Sequence, residues 1–315
     1  MSRRSALLLV VLCLAGLSFA LTPDRLATVG IMDTALTSDN PLIRRSALKL
    51  FLFFRISLLV LSIFLIALSL AVTRIEASDW FKRRIHEGSS FPKAYVRHQR
   101  TLWNCSSLVA LCSLTSAILY ISLGNGFGRQ TLPLINAEDG VIEWMSALIL
   151  LATSLIAIRV SSGMPNKNYR RMHIFLAVLF FIMFGEEISW GQRVFGFSTP
   201  EQLARINVQG ETNLHNSFGY IFDHLFILCF FFWGCVVPLL YWFEPIWRWY
   251  QSRIGLPFPS VGLGLAMLGV TLFQEQITDT LFGVVSGLHV PEIRELLSAL
   301  CFMLLMLESK RLSAR

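Results

Sequence analysis

The sequence predicts an all-α protein, a polytopic bundle of about eight transmembrane helices with both termini in the cytoplasm. Three observations predict it. Hydrophobic residues make up 54% of the 315 positions and charged residues only 15%, where soluble domains carry about 25%. The mean hydropathy is +0.60. The apolar residues gather into eight runs joined by basic connections, and a helix needs roughly 20 apolar residues to cross a bilayer. Disorder, collagen and a disulfide scaffold are excluded by the same composition.

The runs cover residues 6–21, 48–72, 103–123, 141–160, 172–188, 219–241, 261–282 and 293–307. The first follows Ser2-Arg3-Arg4 and closes on Ser18-Phe19-Ala20. It reads as a signal-like segment (1–21) or as a short retained span, and either delivers the next connection outward. Residues 22–137 form an N-terminal membrane part with a large basic cytoplasmic connection, and residues 138–315 a five-span bundle. With the N-terminus inside, 18 Lys and Arg lie on inner segments and eight on outer ones, with Arg55 inside the second run. That asymmetry is the signature of cytoplasmic connections.

Aromatic residues agree. Trp80 and Trp103 bracket the large basic connection, and Trp242, Trp247, Trp249 and Tyr250 crowd the inner end of the sixth run, the depth such rings prefer. The stretch 243–259 reads as an amphipathic segment on the inner leaflet or as an ordinary connection. The net charge of +7 is topological signal in this setting, and no nucleic-acid partner is expected. The six cysteines fall within apolar runs without a CxxC pair and read as packing residues.

The acids are distributed unevenly. Twelve of the 20 carboxylates fall at the outer ends of runs four to eight or in the connections between them. Glu143, Asp223 and Glu275 lie inside apolar runs, where an ionisable group costs about 3 kcal/mol or more unless it faces a partner, a wet cavity or a substrate. Asp139 and Glu143 are spaced i, i+4, as are Glu275 and Asp279, while Glu292 and Glu295 are i, i+3, so each pair shares a helix face. Such clusters suit a divalent metal ion or interhelical bonds to Arg193, Arg205 or Arg294. Glu143, Glu187, Glu275, Asp279 and Glu295 are expected to meet in one cavity near the outer leaflet.

A short internal echo points to the same ends. Glu143-x-x-Ser146-Ala147-Leu148 matches Glu295-x-x-Ser298-Ala299-Leu300, and Phe184-x-Glu186-x-Ile188-Ser189 matches Phe273-x-Glu275-x-Ile277-Thr278. The densest polar segment is 185–216, GEEISWGQRVFGFSTPEQLARINVQGETNLHN. Thr199 and Pro200 mark a helix start within it, and structured connections of this length are often functional. Its end, 209–216, is expected to be ordered and to dip toward Glu187.

GEEISWGQRVFGFSTPE and NVQGETNLHN resemble a segment of bacterial multi-pass membrane proteins of uncharacterised function. The resemblance runs from Glu138 onward and implies a bundle of this type in the plasma (inner) membrane, with no activity attached. Glu186-Glu187 and His224 are also similar to the paired glutamate and histidine of CAAX-type intramembrane proteases. Arg193 stands too far along for that pattern, however, and no later His-x-x-x-Asn follows. The His-x-x-x-His pair of alkaline-ceramidase-like hydrolases is absent.

The leading functional expectation is a metal-assisted hydrolase or transferase acting at the outer leaflet on a lipid or lipid-linked substrate. Glu186, Glu187 and Glu143 are the candidate catalytic acids and bases. Gln192, Arg193, Asn213 and Asn216 are candidate substrate contacts, and His215, His224, Glu275 and Asp279 candidate ligands for a divalent ion. A non-catalytic scaffold that receives a partner at this face is the first alternative. An ion-coupled permease is the second, disfavoured because carriers place their sites near the midplane.

Overall fold

The computed structural model describes residues 3–23, 25, 36, 39, 41–80, 82–83, 103–123, 140–164, 166–207, 210–214, 221–238, 244–257, 259–282 and 288–313. The architecture of these residues is all-helical. Two compact units emerge, one built from residues 1–86, 201–210 and 214–225, the other from 87–200, 211–213 and 226–315.

The first unit pairs α1 (Arg3–Ala20) with α2 (Pro41–Ala77). At about 1.5 Å per residue, α2 runs for roughly 55 Å. Arg55, the cation inside its apolar run, donates through Nε to the Ser18 carbonyl at 3.0 Å, and Ser18 Oγ donates to the Arg55 carbonyl at 3.1 Å. Ser18 lies in the last turn of α1, where carbonyls lack intrahelical partners, so the guanidinium both satisfies itself and caps the helix. The short α7 (Glu201–Ala204) begins just after Pro200, at the predicted helix start.

The second unit is organised around α4 (Val141–Ser162), α5 (Lys167–Glu187) and α12 (Val290–Ser313), joined by α3 (Cys105–Leu123) and α10 (Val261–Thr271). The packing faces are unusual for water. On α4 the buried side includes Ser146, Ala147, Thr153, Ser154, Ala157 and Ser161, while Trp144, Met145, Leu148, Leu155 and Ile158 are exposed. On α5 the exposed residues include Ile174, Phe175, Val178, Phe181 and Ile182. Ser154 Oγ donates across the seam to the Ala177 carbonyl at 2.7 Å. Phe180, Phe226 and Phe230 gather around Phe302 deeper in the core.

Small residues permit the closest approaches. A Cβ on Gly264 of α10 would lie 2.7 Å from the carbonyl oxygen of Gly234, which sits in a π-helical segment, Phe232–Val236, continuing α8 (Ile221–Phe231). A Cβ on Gly269 would collide with Leu114 of α3. The helix α9 (Glu244–Arg253) buries Trp247, Tyr250 and Gln251, and its aromatic pair packs with Tyr169 of α5. Within 243–259 the structure thus forms a helix whose aromatic face packs on protein. Gly255 follows it with φ +70 and its backbone lies directly against Asn168 and Tyr169.

These contacts sort the helix ends. The α4–α5 turn, Gly255 and the start of α10 six residues later lie at one end. Glu308 near the end of α12 joins them there, accepting from Ser260 N (3.0 Å), Ser260 Oγ (2.8 Å) and Asn104 Nδ2 (2.9 Å). Asn104 in turn caps α3 by accepting from Ser107 N at 2.7 Å. The opposite end gathers the start of α4, the end of α5 and the start of α12.

The seventh apolar run is not one helix. It breaks at residues 272–274 into α10 and α11 (Glu275–Phe282). Gln274 stabilises the break, with Nε2 donating to the Thr271 carbonyl at 2.8 Å and Oε1 accepting from Arg294 Nη1 at 3.1 Å. Among the described residues, one helix, Val141–Ser162, is long and apolar enough to cross a membrane, and 39% of its apolar window is buried.

The Glu308 network generates a stability prediction. Glu308→Ala leaves the Ser260 N–H and the Asn104 amide without a buried acceptor, at a cost of about 2–4 kcal/mol. The expected readout is a lowered thermal midpoint in detergent, with Glu308→Gln intermediate. An unchanged midpoint in Glu308→Ala would show that these bonds contribute nothing net.

Candidate functional site

The site is built where α4 begins and α5 ends. Glu143 lies in the first turn of α4, where a negative charge suits the helix dipole. One turn on, the buried Ser146 places its Oγ 2.8 Å from the Glu143 carbonyl and 2.7 Å from Glu187 Oε2. The hydroxyl thus joins the last residue of α5 to the first turn of α4. Glu186, its neighbour, accepts from Trp190 Nε1 at 2.8 Å. Each of the paired glutamates therefore has its own polar partner and points its carboxylate to a different neighbour.

Immediately after Glu187 the chain makes a left-handed elbow. Ser189 (φ 45), Trp190 (φ 54) and Gly191 (φ 79) all have positive φ. Two of the three are not glycine, and such conformations cost on the order of 1–3 kcal/mol each. The surroundings impose the shape. The Trp190 ring folds back over Gly185, where a Cβ would lie 2.9 Å from the indole. The buried Ser189 Oγ donates to Glu211 Oε2 at 3.0 Å, and Asn213 Nδ2 donates to the same carboxylate oxygen at 2.6 Å.

The polar connection returns to this elbow. Gln192 Oε1 accepts from Thr212 N at 2.7 Å, and its Nε2 donates to Thr199 Oγ1 at 2.8 Å. Gln192 opens α6 (Gln192–Phe195), so a single amide side chain ties three parts of the segment together. Of the expected stretch 209–216, residues 211–213 are bonded to the elbow, while 209, 215 and 216 lie outside the described residues. The return is made to Ser189 and Gln192, one turn beyond Glu187.

The other expected site residues fall differently. Glu275 opens α11 and is exposed. Asp279 belongs to α11 and His224 to α8, but their side chains lie outside the described residues, as does the side chain of Arg193 in α6. His215 and Asn216 lie outside the described residues altogether. Among the described residues, no group of three His, Cys, Asp or Glu side chains is placed to hold a metal ion. Among the described residues, the exposed Arg205 pairs i, i+4 with Glu201 at 3.8 Å.

The structure adds Ser146, Ser189 and Glu211 to the site, and gives Arg294, read from the sequence as an interhelical partner of the acids, a bond to Gln274. The two serines were nonetheless visible, because both stand at the echo positions that follow a glutamate. Ser146 and Thr278 share the same local approach, each hydroxyl oxygen lying 2.8 Å from the glutamate carbonyl three residues earlier. Only the structure shows that Ser146 also reaches Glu187. Arg294 is buried one turn into α12, and its hold on Gln274 fixes the break before Glu275. No family model, curated protein or solved structure matches the chain.

The Ser146–Glu187 contact can be measured directly. A double-mutant cycle with Ser146→Ala and Glu187→Gln is expected to give a coupling of about 1–2 kcal/mol in unfolding free energy. Additive effects would mean that the two side chains do not interact in solution.

Proposed function

We propose that this chain is a multi-pass protein of the bacterial plasma membrane whose site at the start of α4 is a hydrolase or transferase centre. In this reading all eight apolar runs cross the bilayer, both termini are cytoplasmic, and the site opens at the outer leaflet toward a lipid or lipid-linked substrate. The composition, the basic asymmetry of the connections and the resemblance of 185–216 support it. So does the face of α4, which buries Ser146, Ala147, Thr153, Ser154, Ala157 and Ser161 beside Ile142, Leu150 and Val160, while Leu148, Leu155 and Ile158 of α4 and Ile174, Phe175 and Phe181 of α5 are exposed. That pattern suits hydrocarbon, where helices associate through small residues and interhelical hydrogen bonds.

The observation that carries the chemical part is the 2.7 Å bond between Ser146 and Glu187 beside the strained elbow. A carboxylate oriented by a buried hydroxyl acts as a general base, taking the proton of a water or acceptor hydroxyl as it attacks a carbonyl or phosphoryl centre. Glu186, Gln192 and Asn213 would flank the reacting group. Where a divalent ion takes part, Glu275 and Asp279 are its proposed carboxylate ligands, and the ion would polarise the oxygen under attack.

A second reading, a scaffold that receives a partner, is favoured by one observation. Beside the elbow, Val194 and Phe195 are 60% and 80% exposed, an apolar projection suited to a docking partner.

Two measurements separate these readings. A reporter fused after Arg315 is expected to be active only in the cytoplasm, and activity outside would overturn both the orientation and the outer-leaflet site. Against a panel of ester- and phosphoryl-linked lipids, Glu187→Gln is expected to lower turnover by about 10²-fold or more. Turnover in the wild type that Glu187→Gln leaves unchanged would remove the proposed base. A wild type inert toward every lipid, with binding lost in Phe195→Ser, would favour the scaffold.

A further inference from the structure

The end of the second unit opposite the glutamates carries a concentration of exposed cations. Arg159 lies in the last turn of α4, Lys167, Arg170 and Arg171 in the first turns of α5, and Lys310 and Arg311 in the last turn of α12. Cations at helix C-termini suit the dipole, which accounts for Arg159, Lys310 and Arg311. The three on α5 do not fit that explanation. They occupy a helix N-terminus, which is itself positive, with no acid in the first turn. Lys167 also stands i, i+3 and i, i+4 to Arg170 and Arg171, where like charges repel. The carboxylate of Glu308 at this end is buried and taken up by Ser260 and Asn104.

The helix is nevertheless held rigidly in this place. Asn166 caps it, accepting from Asn168 N at 2.8 Å. Tyr169 is buried against Trp247 and Tyr250 of α9, and Gly255 packs on the backbone of Asn168 and Tyr169. The cations are therefore displayed by a fixed turn. One turn beyond Arg171 the exposed face becomes apolar, through Ile174, Phe175, Val178 and Ile182. A stripe of positive charge thus passes within about one helical turn, roughly 5.4 Å, into a stripe of hydrocarbon.

We propose that this face binds the headgroups of anionic phospholipids, with Lys167, Arg170 and Arg171 contacting the phosphate and the adjoining apolar stripe contacting the acyl chains. The sequence of charge followed by hydrocarbon matches an amphiphile and leaves half of the face unused by a free phosphate or a nucleic acid. Polybasic segments next to a membrane gain attraction of this kind from anionic lipids. The inference rests on the reading that the chain spans a membrane, and in the proposed orientation the lipids belong to the inner leaflet.

The test uses the full chain purified in neutral detergent, with phosphatidylglycerol or phosphatidylcholine added. Phosphatidylglycerol is expected to raise the thermal midpoint by about 5 °C, and phosphatidylcholine to leave it near the detergent value. High salt should reduce the difference. The combined K167Q, R170Q and R171Q variant is expected to lose the shift, whereas R170K with R171K should keep most of it. If the triple variant fails to fold, Lys167→Gln alone should reduce the shift. Equal shifts with both lipids, or a full shift in a folded triple variant, would overturn the proposal, as would an equal shift from inorganic phosphate. Sedimentation of the detergent-free chain separates the two levels. A monodisperse, soluble chain would overturn the membrane reading itself, while a detergent-dependent chain without lipid preference would overturn only this inference.

Discussion

The contact on which the second unit depends is the close approach of helix backbones through small and hydroxyl-bearing residues. Ser146, Ala147, Ser154 and Ala157 of α4 are buried where it meets α5 and α12, and Ser154 bonds the Ala177 carbonyl directly. Gly264 and Gly234 do the same for α10 and the π-helical segment. Packing of this kind gains from dispersion and from hydrogen bonds that a bare carbonyl or hydroxyl would otherwise lack. It leaves Leu148, Leu155 and Ile158 of α4 facing outward, while Ile142 and Leu150 join the core. Ser146 sits in this seam, so the glutamate it holds is positioned by the packing of the helices and needs no separate scaffold.

The two ends of the unit then acquire opposite chemistry. At one end the carboxylates of Glu187 and Glu211 are bound to hydroxyls and an amide, and the chain passes through a left-handed elbow that a relaxed connection would avoid. Strain of this kind persists only where surrounding contacts determine it. Here those contacts are the Trp190 ring over Gly185 and the Ser189–Glu211–Asn213 bonds. At the other end, Glu308 gathers Asn104 and Ser260 in a buried network, and the exposed surface is cationic. The acidic end is polar and held in shape by side-chain bonds, whereas the basic end is closed by packing and displays its charge on the outside.

The run of buried polar groups also explains why the seventh apolar run divides. A continuous helix through Gln274 would withdraw its amide from the Thr271 carbonyl and from Arg294. Arg294 is buried in α12, and the Gln274 amide at the break is one acceptor of its guanidinium. The break places Glu275 in the first turn of a new helix, exposed, instead of deep within a long one.

Much of this protein is legible from its sequence. Helical class follows from the length and composition of the apolar runs, since runs of this length admit few other structures. The start of α4 at the fourth run and the polar character of the 185–216 connection are equally local, whereas α5 begins at Lys167, five residues before the fifth run, where the Asn166 side chain caps it. The echo of Glu-x-x-Ser even marked the hydroxyl that matters. Which carboxylate that hydroxyl binds was decided only in three dimensions, because residues 146 and 187 meet through the register of two antiparallel helices and not through any spacing along one. The same holds for the break at 272–274, where hydropathy reads straight through and the deciding group, Arg294, lies 20 residues away on another helix. Local sequence sets propensity and polarity. The partner of a buried polar group depends on which helix faces it, and only tertiary packing supplies that.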